Sequence, residues 1–163
     1  MANVYLSIGS NIQRNKHISA GLKALKAQFD TINCSPIYES IAVGFDGDNF
    51  YNLVVHFTTD TPIEQLSKLL SEIEDNNGRD RLGAKFSPRT LDLDLLLYDD
   101  ITLSSEKLTL PRPEIYHNAF VLQPLADIAG DLIDPVKKQT YNELWASYDK
   151  TKQKLWQVNL SQI

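Results

Sequence analysis

The order of strand-like and helix-like segments predicts an α+β fold: a ferredoxin-like core, mainly antiparallel, with helices packed on both sides of the sheet in a three-layer αβα arrangement. Strand-like runs occur at NVYLSI, around Cys34 to Ile41, at YNLVVHFTT and at Leu91 to Tyr98. Runs with apolar residues at helical spacing follow the first and the third of these. The chain therefore reads strand, helix, strand, strand, helix, strand. With 163 residues, 42% of them hydrophobic and 23% charged, it suits one globular domain, 1–163.

Each element has a local cause. NVYLSI alternates and ends at Gly9, and His17 to Phe29 sets Ile18, Leu22, Leu25 and Phe29 on one helical stripe. Pro36 restricts the second strand to a sheet edge or a bulge. VGFDGDNF, with Gly44 and Gly47 among acids, reads as a loop. Thr61-Pro62-Ile63-Glu64 offers an N-cap, a proline at the first helical position and a glutamate able to close a capping box. The helix it opens runs through Leu66, Leu69, Leu70 and Ile73 and stops near Gly78. Beyond the last strand, LTLPRPEIYHNAF is a proline-punctuated loop, followed by two short helices near Phe120 to Ile128 and Tyr141 to Tyr148.

Composition narrows the function classes. A net charge of −5 argues against a nucleic-acid partner, while leaving room for a local basic pocket. A lone cysteine, Cys34, cannot form an internal disulfide, which points to a reducing compartment, most simply the cytoplasm. MANVYLSIGSN lacks the basic start and apolar core of a secretion signal, and no apolar run approaches the roughly 20 residues that span a bilayer. Small-molecule substrates and a monomeric state are expected.

The chemistry concentrates in GRDRLGAKFSPRTLDLDLLLYDD, Gly78 to Asp100. Strand alternation puts Leu91, Leu93, Leu95 and Leu97 on one face, and Asp92, Asp94, Leu96 and Tyr98 on the other. The two aspartates then stand about 7 Å apart at Cα. If their carboxylates angle inward to about 5 Å, they repel by roughly 3 kcal/mol at an effective dielectric near 20. A solvated face could carry such a pair, yet this strand is apolar on both faces toward its end and reads as central. Oxygen-only ligands favour magnesium, held by one or two carboxylates together with substrate phosphates. Zinc is disfavoured, since His17, His56 and His117 are scattered and read as structural residues. Arg79, Arg81, Lys85 and Arg89 crowd into the preceding loop; arginines, a divalent ion and carboxylates together form the apparatus of phosphoryl transfer. Gly78, Gly83 and Lys85 only imitate a P-loop, because Ala84 intervenes, Phe86 follows the lysine and a helix precedes. GSN at Gly9 to Asn11 is too short to assign alone.

PRTLDLDLLLY, together with the opening YLSIGSNI, the upstream IEDNNGRDR and the later LTLPRP and AFVLQPL, resembles the 6-hydroxymethyl-7,8-dihydropterin pyrophosphokinase family from about Val4 to Leu132. That resemblance implies transfer of diphosphate from ATP to a pterin alcohol in folate biosynthesis, with release of AMP. It implies that Asp92 and Asp94 hold two magnesium ions, and that Arg79 and Arg89 act on the phosphates during transfer. By the same resemblance Glu74, Arg81, Lys85, Leu95, Lys107, Thr109 and Arg112 belong to the ATP site, and Ser40, Val43, Phe50, Asn52, Phe86 and Phe120 to the pterin site. The implied chemistry is direct in-line attack on the β-phosphorus, with segments 42–49 and 81–87 closing over the substrates. Departures from the family pattern lie in the binding shell: Phe86 stands for tryptophan, Ser87 for glycine, Arg112 for histidine and Asn118 for arginine, and the stretch ESIAVG looks slightly short. Arg112 is placed to restore part of the charge that Asn118 lacks. Rival readings are the same chemistry on another pterin-like alcohol, or a non-catalytic nucleotide- or RNA-binding module of the same fold.

Overall fold

A computed structural model describes residues 1–41, 47–78 and 90–159. In chain order the elements are β1 (Ala2–Ser10), α1 (Arg14–Phe29), β2 (Asn33–Cys34), β3 (Ile37–Ser40), β4 (Phe50–Thr59), α2 (Ile63–Asn76), β5 (Asp92–Tyr98), β6 (Leu103–Ser104), β7 (Thr109–Leu110), α3 (Glu114–His117), α4 (Ala119–Ala129), α5 (Tyr141–Ser147) and β8 (Leu155–Val158). The main sheet has the order β5-β1-β4-β3-β8, with β2 also paired to β4. Every pairing in it is antiparallel. Counting β2 and β3 as one interrupted strand, the first four strands reproduce the expected ferredoxin-like arrangement, and β8 extends it at the far edge. The interruption falls at Pro36, as its missing N–H requires. Ser35 bridges the gap, donating its N–H to Val54 O at 2.8 Å and accepting from Val54 N through Oγ at 2.9 Å.

Alternation along the strands builds two cores, one on each sheet face. Val4, Leu6, Ile8, Leu53, Val55, Phe57, Leu91, Leu93 and Leu95 pack against Ile18, Leu22 and Leu25 of α1 and Leu66, Leu70 and Ile73 of α2. On the reverse, Val54, Leu96 and Leu97 pack against Ile115, Val121, Leu122, Leu125 and Tyr141 of α3, α4 and α5. No helix among the described residues is long and apolar enough to cross a membrane.

Two local expectations are corrected. β5 does not alternate to its end: Tyr5 pairs with Leu97 but Leu6 with Leu95, so Leu96 is an extra residue in a bulge. Leu96 and Leu97 therefore both face the α4 side, while Tyr98 crosses to the other core and donates to Thr61 O at 2.7 Å. The capping box expected at Thr61 is absent. Its Oγ1 takes a hydrogen bond from Thr59 Oγ1, and α2 starts from Pro62, whose carbonyl accepts Leu66 N. A capping box does form at α5, where Thr140 Oγ1 accepts from Glu143 N at 3.1 Å and Glu143 Oε1 accepts from Thr140 N at 3.0 Å. The stop near Gly78 is as expected, with this glycine at φ 79°.

The α4 side depends on one buried carboxylate. Asp134, fully buried, accepts from the Tyr141 hydroxyl at 2.6 Å, the Tyr116 hydroxyl at 2.9 Å, Lys137 N at 2.7 Å and Val136 N at 3.0 Å. It thereby ties α3 and α5 to the turn between α4 and α5. Asp134→Ala should lower stability by about 3 kcal/mol, since it leaves several buried donors unpaired, and Asp134→Asn should lose less. The midpoint and slope of urea unfolding measure both.

Candidate active site

The register of β1 decides what the site contains. Gly9 pairs with Asn52 of β4 on one side and with Asp92 of β5 on the other, and Ser7 pairs with Asp94. On β3, Tyr38 pairs with Asn52 and Ser40 with Phe50. Directly paired residues share a face. Ser40, Phe50, Asn52, Asp92 and Asp94 thus all project from the sheet face that α4 covers, near the end where β1 finishes and β4 and β5 begin. Two strand spacings put Asn52 and Asp92 about 10 Å apart.

Gly9 forms the floor between them. A Cβ there would lie 2.7 Å from Asn52 Nδ2, so any larger residue would push the amide away. Asn52 is only 6% exposed, and its Oδ1 is buried with no hydrogen-bond partner among the described residues. A buried amide oxygen left unpaired costs about 1–3 kcal/mol, a deficit that a bound donor would relieve. Ser10, fully buried, donates Oγ to Thr90 O at 2.5 Å and so ties the end of β1 to the approach of β5.

The acidic pair is under electrostatic load. Burial pushes the Asp94 carboxyl well above the usual carboxylate range; the charge of Asp92 and a hydrogen bond to it add to the rise, as does Glu74, while Arg112 opposes it. Arg112 Nη2 lies 3.4 Å from Asp94 Oδ1, and its Nε is bonded to Glu114. The arginine backbone is anchored to β5 by its own N–H, which donates to Leu96 O at 3.0 Å. Glu74, 5% exposed near the end of α2, turns Oε2 to Leu93 N at 2.8 Å and satisfies the edge of β5 that β1 does not pair.

The remaining expected residues divide. Phe120 sits in the first turn of α4, half-buried against the core on the site's side of the sheet. The Leu95 side chain is buried in the opposite core with α1 and α2, which leaves only its backbone for a nucleotide. Thr109 is half-buried on β7, and Lys107 is exposed at the tip of the β6–β7 hairpin. Asn118 accepts from Gln153 Nε2 at 2.9 Å, and Gln153 Oε1 in turn accepts Ala119 N at 2.8 Å, capping α4. Val43, Arg79, Arg81, Lys85, Phe86 and Arg89 lie outside the described residues. Gly9 and Ser10 were legible only as a fragment too short to assign. Their signal was a glycine ending a strand, a position that becomes informative only with its cross-strand partners.

The family profile for 7,8-dihydro-6-hydroxymethylpterin-pyrophosphokinase (HPPK) matches residues 5–130, most of the chain. The chain belongs to this family. HPPK relatives include the Aquifex aeolicus pyrophosphokinase, 32% identical over 88% of this chain and 90% of its own length. The Synechocystis pyrophosphokinase is 39% identical over 78% of this chain and 65% of its own length. The folic acid synthesis protein fol1 of Pneumocystis carinii is 38% identical over 82% of this chain, which spans only 18% of that protein. Among solved structures, the Plasmodium falciparum HPPK-DHPS with SDX-DHP superposes with a TM-score of 0.70 at 15% identity. The match covers 91% of this chain and 44% of that one, and it is a likeness of fold.

The HPPK family works with ATP and magnesium, and the donor set fits that ion. Asp92 and Asp94 offer only oxygen and share one strand face, and among the described residues the Arg112 guanidinium pairs with Asp94. No cluster of three or more His, Cys, Asp or Glu side chains suited to a metal occurs among the described residues.

The raised value of Asp94 makes a prediction for the metal-free protein. An unfolded aspartate titrates near 3.9, so the penalty for charging Asp94 is absent below that pH and grows as pH rises through its higher folded-state value. Asp94→Asn should therefore melt at a higher temperature than the parent at neutral pH in EDTA, and the gap should close toward pH 4. The opposite order at neutral pH would mean that the ion pair with Arg112 outweighs the burial.

Proposed function

We propose that the chain transfers diphosphate from ATP to 6-hydroxymethyl-7,8-dihydropterin, releasing AMP and the pterin diphosphate. One observation carries this reading: the buried amide of Asn52, whose Oδ1 has no hydrogen-bond partner among the described residues, and the carboxylates of Asp92 and Asp94 share a sheet face on either side of Gly9. An amide presents both an acceptor and a donor, the pattern needed to grip the edge of a pterin, and Phe50 and Phe120 supply apolar surface for its flat ring. Ser40 completes the rim on β3, with Val43 and Phe86 assigned to the same site.

The pterin hydroxymethyl oxygen attacks the β-phosphorus of ATP. Its O–P bond forms as the bond from that phosphorus to the AMP oxygen breaks, and the hydroxymethyl proton is released. Asp92 and Asp94 would hold two magnesium ions, which when bound neutralise phosphate charge. Arg112, which pairs with Asp94 through Nη2 while Glu114 holds its Nε, would present the rest of its guanidinium to a phosphate oxygen beside them. Glu74 keeps β5 in place through Leu93, while Lys107, Thr109 and the Leu95 backbone belong to the nucleotide side. Arg79, Arg81, Lys85 and Arg89 supply the cations, with Arg79 and Arg89 acting on the transferred group. Holding both substrates on one rigid sheet face replaces a bimolecular encounter by an oriented one, which can contribute about 7–11 kcal/mol to the barrier reduction.

Purified protein with ATP, magnesium and 6-hydroxymethyl-7,8-dihydropterin should form AMP and pterin diphosphate in equal amounts. Asp92→Ala and Asp94→Ala should each abolish turnover with an unchanged circular dichroism spectrum; full activity in either would remove the metal assignment. Asn52→Ala should raise the KM for the pterin by about 10–100-fold, corresponding to the 1–3 kcal/mol of an amide's lost hydrogen bonds, and leave the KM for ATP within twofold. Equal rises in both constants would place Asn52 outside the acceptor site.

A further inference from the structure

Four stretches far apart in sequence converge on one carboxylate behind the acceptor site. Glu39 lies between Tyr38 and Ser40 on β3, so its side chain projects from the reverse face of the sheet. Glu39 Oε2 accepts from Arg14 Nη1 at 3.1 Å and from Asn49 Nδ2 at 3.0 Å. Trp156 faces the carboxylate as the partner of Glu39 across β3 and β8, on the same side of the sheet. Arg14 at the start of α1 reaches further: Nη1 donates to Asn49 O at 3.0 Å, and Cζ stands 3.9 Å from the centre of the Tyr51 ring. Tyr51 is the β4 partner of Glu39. Arg14 and Glu39 side chains are 28% and 19% exposed, so the pair is largely sheltered from solvent. Although burial works against it, the bonds from Asn49 and Arg14, with the indole of Trp156 beside them, hold the Glu39 carboxyl below its usual range.

The place of this brace matters. The β3–β4 ladder ends at the pair Ser40 and Phe50, and the segment 42–46 that joins the strands lies outside the described residues. Among the described residues, no backbone pair follows that last one. The brace grips both of them one residue from the ladder's end, through Glu39 on one strand and through Asn49 and Tyr51 on the other. Trp156 lies outside residues 5–130, the region matched to the family, so the family likeness assigns it no part.

We propose that Glu39 and Trp156 are positioning residues for the acceptor: the C-terminal strand, acting through this carboxylate, sets where Ser40, Phe50 and Asn52 stand against the pterin. The inference rests on the acceptor reading of those three residues given under Proposed function. None of the brace residues needs to touch substrate, because a displacement of about 1 Å in a positioning residue is enough to cost up to a hundredfold in rate.

Steady-state kinetics and equilibrium pterin binding on the full chain test it, with Glu39→Ala, Glu39→Gln, Trp156→Phe and the double variant Glu39→Ala/Trp156→Phe. Trp156→Phe keeps the ring and removes only the N–H donor. The expected result is a rise of about five- to tenfold in the pterin KM and dissociation constant for Glu39→Ala, less for Glu39→Gln and Trp156→Phe, with the ATP KM within twofold throughout. The double variant should be no worse than Glu39→Ala, since both changes break one linkage. A lowered melting temperature with unchanged pterin constants, equal movement of the pterin and ATP constants, or additive effects in the double variant would overturn the proposal. Absence of turnover in the parent protein would instead overturn the acceptor reading itself and the positioning role with it. Normal parent turnover with unaffected variants overturns the positioning role alone.

Discussion

The pairing of β1 between β4 and β5 is the constraint on which the site depends. A sheet neighbour is fixed by backbone hydrogen bonds and a two-residue alternation, so a slip of one residue would turn Asn52, Asp92 and Asp94 into the α1–α2 core and bring leucines to the α4 side. Val4, Leu6 and Ile8 on the buried side of β1, with Leu91, Leu93 and Leu95 beside them, make that slip prohibitive. The hydrophobic core on one face thus holds the polar chemistry on the other. The bulge at Leu96 ends this arrangement on the far side of the aspartates, where two consecutive leucines seat against α4 and its neighbours.

Charge balance explains why the neighbouring groups are where they are. Two carboxylates on one strand face, with Glu74 behind them, form a concentration of negative charge that folding alone does not favour. Arg112 offsets it from the segment after β7, and Glu114 shares the same guanidinium. The single 3.4 Å contact from Arg112 lowers the cost of charging Asp94 without cancelling it, since burial and Asp92 still raise the carboxyl. Glu74 acts differently from the other acids, since one of its oxygens is committed to the backbone of β5. Strand anchoring by the buried Glu74 and the charges of the half-buried Asp92, Asp94 and Arg112 therefore meet in one cluster.

The helices beyond the sheet fix the geometry from outside. Tyr38 reaches from β3 to Asp127 of α4 at 2.5 Å, Asp134 gathers α3 and α5, and Gln153 caps α4 next to Asn118. With β8 laid on β3, the C-terminal stretch is joined both to the helix that carries Phe120 and to the strand that carries Ser40. Long-range side-chain bonds of this kind explain how a short, interrupted strand such as β3 keeps a defined position at the rim of a binding face.

The sequence by itself determined the element order, the α+β class, the acidic strand and the family, because each is written in local period, turn chemistry or a contiguous motif such as PRTLDLD. It placed both aspartates on a common face for the same reason: alternation is local. It misjudged Leu97 and Tyr98 because a bulge arises from the pairing partner, and it misjudged the start of α2 because Thr59, not the helix, engages Thr61. The strand Leu155–Val158, the role of Gly9 and the Arg14–Glu39–Trp156 brace were invisible for a related reason. A short edge strand has little pattern of its own, and a glycine or a carboxylate acquires its meaning from residues tens of positions away. Only the tertiary structure decided those partners, since cross-strand register is set by the summed packing of both sheet faces rather than by any one segment.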